Sequence, residues 1–235
     1  MNEVANDHRI RVAAERRERM RLRLVESAML VFAEKGVGAS VIQDVIAAAE
    51  VSQGTFYNYF RTNEELLVAV TQELNNELLQ LIEQQVSSFE DPALRIATGV
   101  RMFLHTARTY PLLARFICAA GLHAAGPSSL FYVYLPVHIE QGVAQGRFNG
   151  VSTATALDVI AGTGLATVLR LANGEAADTQ PEDAVASILR GLGMSAREAQ
   201  KLVAKPLPAV PPHPESLLER GQARLTSSTA VASQR

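Results

Sequence analysis

Along most of the chain, apolar side chains recur at three- and four-residue steps, the spacing of helices with one buried face. The stretch that organises the rest is Ser40 to Phe60, SVIQDVIAAAEVSQGTFYNYF. Ile42, Val45, Ile46 and Ala49 fall on one face of a first short helix. Val51-Ser52-Gln53-Gly54 breaks that rhythm, and Ser52 is a favourable N-cap for a second helix, Gln53 to Phe60. The second helix is too short to be stable alone. It turns Phe56 and Phe60 inward and leaves Thr55, Tyr57, Asn58 and Tyr59 outside. Polar tips of this kind suit hydrogen bonds to phosphates and base edges better than they suit packing.

The same rhythm predicts the other elements. A helix from about Glu15 to Lys35 buries Leu24, Ala28, Val31 and Phe32, and Gly36 closes it as a C′ glycine. Thr62-Asn63-Glu64-Glu65, a capping residue followed by acids, starts a long helix to about Ser88. Further helices are expected over about 92–109, 111–123, 126–146, 153–173, 181–192 and 195–205, with Pro136 expected to kink or split the third of these. The fold class is all-α: a three-helix helix-turn-helix unit followed by a helical body. The divisions are a disordered basic arm over 1–14, the helix-turn-helix over 15–62, the body over 63–205 and a disordered tail over 206–235. Five prolines between Pro206 and Pro214 mark the tail, in which Leu217–Leu225 forms a transient helix at most.

Composition narrows the function. With 48% hydrophobic residues, the chain can bury a substantial core. Cys118, the single cysteine, excludes an intrachain disulfide framework and a cysteine-based zinc site, and fits a reducing compartment. No run reaches about 18 uninterrupted apolar residues, and no apolar segment follows the N-terminal charges, so a cytoplasmic protein is expected. The net charge is −2, but its distribution is uneven: between His8 and Arg23 seven arginines face Glu15 and Glu18, a local balance of +5. An arginine-rich segment directly before the helix-turn-helix, with Arg16, Arg17 and Arg19 among its cations, suits neutralisation of DNA phosphates.

Gly54-Thr55-Phe56-Tyr57-Asn58-Tyr59-Phe60, with FAEKG at Phe32–Gly36 and Leu66-Leu67 beyond, resembles the DNA-binding unit of the TetR-type (tetracycline-repressor-like) transcription regulators. HIEQGVAQGRF at His138–Phe148 is a weaker match to the same family. The resemblance implies that Ser40 holds a phosphate, that Gln43 and Gln53 reach base edges, and that Gly54 lets the backbone approach closely. It implies that Ser52, Thr55, Tyr57, Asn58 and Tyr59 lie at the duplex and divide its phosphate and base contacts. Three positions depart from the family pattern. Glu50 stands where glycine is common and is expected to take a left-handed conformation. Ile46 stands where alanine is common, and Asn63 replaces a lysine that binds phosphate.

The resemblance also implies a body that encloses a small-molecule pocket and forms a homodimer. Candidate pocket residues are His105, Tyr110, Phe116, Cys118, His123, Phe131, Tyr132, Tyr134 and His138, and the sparse charge on the body favours an apolar or aromatic ligand. The small-residue-rich eighth and ninth helices are the expected dimer interface, through Ala154, Ala161, Gly162, Leu165, Leu169, Val185 and Leu189. No catalytic motif is present: there is no Gly-rich phosphate loop and no Gly-x-Ser-x-Gly elbow. His105, His123 and His138 are spaced too widely for a helical metal pair, and no cofactor is expected. The leading reading is a sequence-specific regulator of double-stranded operator DNA, a repressor released by a small molecule. The alternative is a helical ligand-binding or adaptor protein that has lost DNA binding, for which Glu50 and Asn63 leave room; an all-α enzyme comes third.

Overall fold

The computed structural model describes residues 2–38, 41–122, 126, 129–208 and 214–232, and the regular elements among them are all helical. The head consists of α1 (Asn2–Lys35), α2 (Ile42–Ala48) and α3 (Gln53–Tyr57). The body consists of α4 (Asn63–Val86), α5 (Pro92–Thr109), α6 (Pro111–Ala120), α7 (Phe131–Ala144), α8 (Thr153–Ala172), α9 (Gln180–Gly191), α10 (Ala196–Val203) and α11 (Leu217–Ala232).

Local chemistry sets the helix starts. Ser52 Oγ accepts from Thr55 N at 3.1 Å, and Thr62 Oγ1 accepts from Glu65 N at 3.1 Å. Glu65 Oε2 in return accepts from Arg61 N at 2.7 Å, so the junction from α3 to α4 is held at both edges. Asp91, Ser152 and Ser195 cap α5, α8 and α10 in the same way. Gly36, with φ +89°, ends the helical run of α1 as a C′ glycine does. α7 runs through Pro136 without being split.

Two expectations about the ends are corrected. Residues 2–14, expected as a disordered arm, continue α1 as helix. The segment holds three alanines and two arginines, good helix formers, and Arg11 pairs with Glu15 one turn on, at 3.8 Å. A helix that is polar all round can be held by such i,i+4 pairs without an apolar stripe, so a lack of periodicity does not by itself exclude helix. The tail is likewise not wholly irregular, because α11 packs against α1, α4 and α6. Leu218 is buried, Arg220 Nη2 meets Glu26 of α1 at 2.9 Å, and Leu217 N donates to Glu77 of α4 at 3.0 Å.

One apolar core runs from Leu24 of the head to Leu218 of α11. α3 depends on it: Phe56 and Phe60 are buried, and burial of each ring is worth about 2–3 kcal/mol. α8 has the length and hydropathy of a membrane span, yet it packs against α5, α6, α7 and α9. α9 packs on α5, α8 and α10 with Val185 and Leu189 fully buried, so these two residues belong to the core of the single chain and are removed from the expected dimer interface.

Candidate functional site

The head presents a polar face built on a buried ring. Phe56 anchors α3, while Gln53, Gly54, Tyr57 and Asn58 are exposed beside it. Gln43 is exposed on α2. Thr55 is half-buried, its Oγ1 hydrogen-bonded to Ser52 Oγ at 2.9 Å. Tyr59 is half-buried, and the Arg17 guanidinium lies 5.9 Å from its ring centroid, a cation–π contact that ties α1 to the end of the helix-turn-helix. Arg16 and Arg19 are exposed along α1. Ser40 lies outside the described residues. Asn63 is half-buried in the first turn of α4.

Glu50 takes the expected left-handed conformation, with φ +51°. A non-glycine residue there carries backbone strain. Its carboxylate lies 3.4 Å from the Arg23 guanidinium, which bridges the turn back to α1.

The body contains a cavity of about 120 Å³, walled by α4, α5, α7 and α8 with contributions from α6. Of the expected pocket residues, Phe131, Tyr134 and His138 line it. The others do not, for separate reasons. Phe116 is fully buried and packs edge-on against Phe32, with ring centroids 5.8 Å apart. Tyr110 donates its hydroxyl to Glu219 of α11; burial and this bond push its pKa up to about 12. His105 bonds Glu182 at 2.8 Å on the side facing α9. Cys118 packs on the core and burial pushes its thiol pKa up, which leaves it a poor nucleophile. Tyr132 is exposed on α7, and His123 lies outside the described residues.

The cavity's polar wall was missed by sequence reasoning. Asn75 and Glu83 project from α4, and Arg95 from α5. Glu83 Oε2 lies 2.9 Å from His138 Nε2. Arg95 donates to Phe89 O at 2.6 Å and to Gln141 Oε1 at 2.7 Å. The available signal was the interruption of the apolar face of α4 by Asn75, beside Leu74, and by Glu83, beside Ile82. α4 therefore joins the two candidate sites: its first turn follows α3 after the short connection 58–62, and its second half forms one cavity wall.

Two family models match this arrangement: bacterial regulatory proteins of the tetR family over residues 24–70, and the tetracyclin repressor-like C-terminal domain over residues 91–205. The chain belongs to the TetR family. The chain is similar to the HTH-type transcriptional repressor DhaR of Mycobacterium sp. (strain GP1), 38% identical over 76 residues, which cover 32% of this chain and 38% of that one. It is similar also to the HTH-type transcriptional regulator YvdT of Bacillus subtilis (strain 168), 32% identical over 69 residues, covering 29% and 36% of the two chains. The matches thus span well under half the length of these relatives. Among solved structures, RolR in complex with resorcinol superposes with a TM-score of 0.71 at 27% identity, covering 84% of this chain and all of that one. RolR without ligand gives 0.69 at 25% identity, covering 81% of this chain and all of that one. The TetR family consists of transcription regulators rather than enzymes.

Proposed function

We propose that the chain is a homodimeric repressor that leaves its operator when a small single-ring compound fills the body cavity. The observation that carries this reading is the placement of α4, which starts a short connection after the recognition helix and ends as a wall of the cavity. A helix of 24 residues is about 36 Å long, so a small tilt at the cavity moves the head by a larger distance. A ligand that prefers the tilted form weakens DNA binding by its differential affinity for the two forms.

Cavity size sets the ligand class. An apolar cavity of about 150 Å³ suffices to take up benzene. The cavity here, at about 120 Å³, suits a compound of one ring far better than a long acyl chain. The ligand named for RolR, resorcinol, is of that size.

For the dimer, exposed apolar residues favour α7 with α8 in place of the expected α8 with α9. α7 exposes Val133 and Val137, and α8 exposes Leu169 beside Ala154 and Gly162. α7 and α8 pack together, so their outer faces adjoin. A second copy of the chain is the occupant, because two linked heads are what a near-palindromic duplex requires, with recognition helices about 34–36 Å apart. Ala161 and Leu165 are half-buried and line the cavity, so they belong to the ligand site.

The test is a gel shift on the DNA upstream of the protein's own gene, run beside sedimentation of the wild type and Val137→Glu. A retarded band and a dimer that Val137→Glu splits support the proposal. A monomeric wild type with no retarded band favours the alternative of a ligand-binding protein without DNA binding.

A further inference from the structure

The cavity contains a polar pair whose hydrogen bonding is incomplete, and the role inferred for that pair rests on the cavity being the ligand chamber. His138, on α7, is 5% exposed and lies in the cavity wall. Its Nε2 is 2.9 Å from Glu83 Oε2. A carboxylate only accepts hydrogen bonds, so this contact places a proton on Nε2. In the neutral ring, Nδ1 is then an acceptor. Nδ1 is buried and has no hydrogen-bond partner among the described residues. A buried acceptor without a donor is costly, and native structures rarely leave one without a reason.

The surroundings define what could satisfy it. Most of the wall is apolar, including Ile82, Val100, Phe131 and Leu135. Arg95 also lines the cavity, but its Nε and Nη1 are engaged by Phe89 O and Gln141. Asn75 stands eight residues before Glu83 on α4, about 12 Å along the helix axis. A single ring held at His138 does not reach it. Glu83, bonded to the imidazole and itself in the cavity wall, disfavours an anionic group at this end of the cavity.

We propose that His138, held in one tautomer by Glu83, reads a hydroxyl donor on a neutral single-ring ligand. The ligand class is a phenol: once a small turn of the imidazole opens the buried Nδ1 to the cavity, the ligand O–H donates to it while the ring rests on the apolar wall. Glu83 also stands in the cavity wall, and toward His138 it acts as a positioning residue, because its Oε2 holds the imidazole by Nε2.

Phenol and toluene form a matched pair, nearly equal in size but differing by a hydroxyl donor. Calorimetric titration of the full chain should show phenol bound at least about tenfold more tightly than toluene, although toluene is the more hydrophobic of the two. His138→Leu should abolish or reverse that preference while still binding toluene. Glu83→Gln retains a carbonyl that accepts from Nε2 and should keep most of the preference; Glu83→Leu should lose most of it. The readout is a ratio of two ligands on one variant, so a general loss of stability does not imitate it, and either leucine variant suffices if the other fails to fold. A wild type that binds toluene as tightly as phenol, or leucine variants that keep the phenol preference, would overturn the assignment of His138 and leave the cavity as the ligand site. Binding of neither compound would remove the cavity's proposed role together with the assignment.

Discussion

The ring of Phe148 occupies the place where a side chain at Gly142 would begin. A Cβ added to Gly142 would lie 2.2 Å from two carbons of that ring. Phe148 is buried, and its amide and that of Arg147 both donate to Gly142 O, at 3.2 and 2.8 Å. Arg147 then bonds both oxygens of Asp91, the cap of α5. The HIEQGVAQGRF motif is thus partly a structural fastening for the end of α7. Gly142→Ala is expected to destabilise the chain by about 1–3 kcal/mol through overpacking, seen as a lowered midpoint in denaturant unfolding. An unchanged midpoint would mean that the Phe148 ring moves aside freely.

At Glu50 a change in the opposite direction is expected. The left-handed backbone there costs a side-chain-bearing residue roughly 1–2 kcal/mol, partly offset by the exposed pair with Arg23. Glu50→Gly should raise stability by up to about 1 kcal/mol, whereas Glu50→Ala should not. Chemical denaturation of the two variants distinguishes backbone relief from loss of the ion pair.

Stability should depend on pH through Glu182. Burial pulls its pKa upward, but hydrogen bonds from His105 and Arg101 outweigh this and hold the carboxyl below its usual 4.5. A depressed carboxylate pKa adds stability above the unfolded value, and that stability is lost as the pH falls through the folded value. Arg101 is buried and also donates to Lys205 O at 2.7 Å, so the group fastens α5 to α9 and to the segment just after α10. A quarter of the Glu182 side chain remains exposed, so Glu182→Gln should cost only about 1 kcal/mol at neutral pH. The gap from wild type should close as the pH falls below 4.5, which unfolding curves at several pH values will show.

The arginines of α1 should appear in the salt dependence of DNA binding. Each phosphate contact contributes about 0.9 to the slope of log affinity against log salt. Replacing Arg16 and Arg19 together, both exposed, should lower the slope by about 1–2 without altering the preferred sequence. An unaltered slope would make this part of α1 a bystander.

The features legible in the sequence were mostly local. Ser52, Thr62 and Gly36 mark helix ends through bonds to residues three or four away, and the four-residue step from Phe56 to Phe60 marks the buried side of the segment, although α3 ends at Tyr57 and not at Phe60 as expected. The strained turn at Glu50 could be anticipated from one residue and its place in the motif. The cavity was only partly legible, because membership depends on which helices meet. His105 and His138 look alike in sequence, but the first turns to Glu182 on α9 and the second to Glu83 on α4. The inward turn of Val185 and Leu189 has the same origin, since apolar spacing shows that a helix has a buried face and not which partner buries it. α11 was undervalued because the prolines before it suggest disorder, although Leu218, Gly221 and Leu225 keep a helical rhythm.

That one chain reads a DNA sequence and gives it up to a small ring compound is tested most directly by selection against a random duplex pool. The full-length protein is used at about physiological salt, with and without phenol, and the bound duplexes are sequenced. The predicted result is an enriched near-palindrome, with half-sites about one helical turn apart or a multiple of it, and loss of that enrichment when phenol is present. Salt-sensitive binding with no enriched sequence would contradict it, because α1 would then hold DNA while Gln53, Tyr57 and Asn58 read nothing.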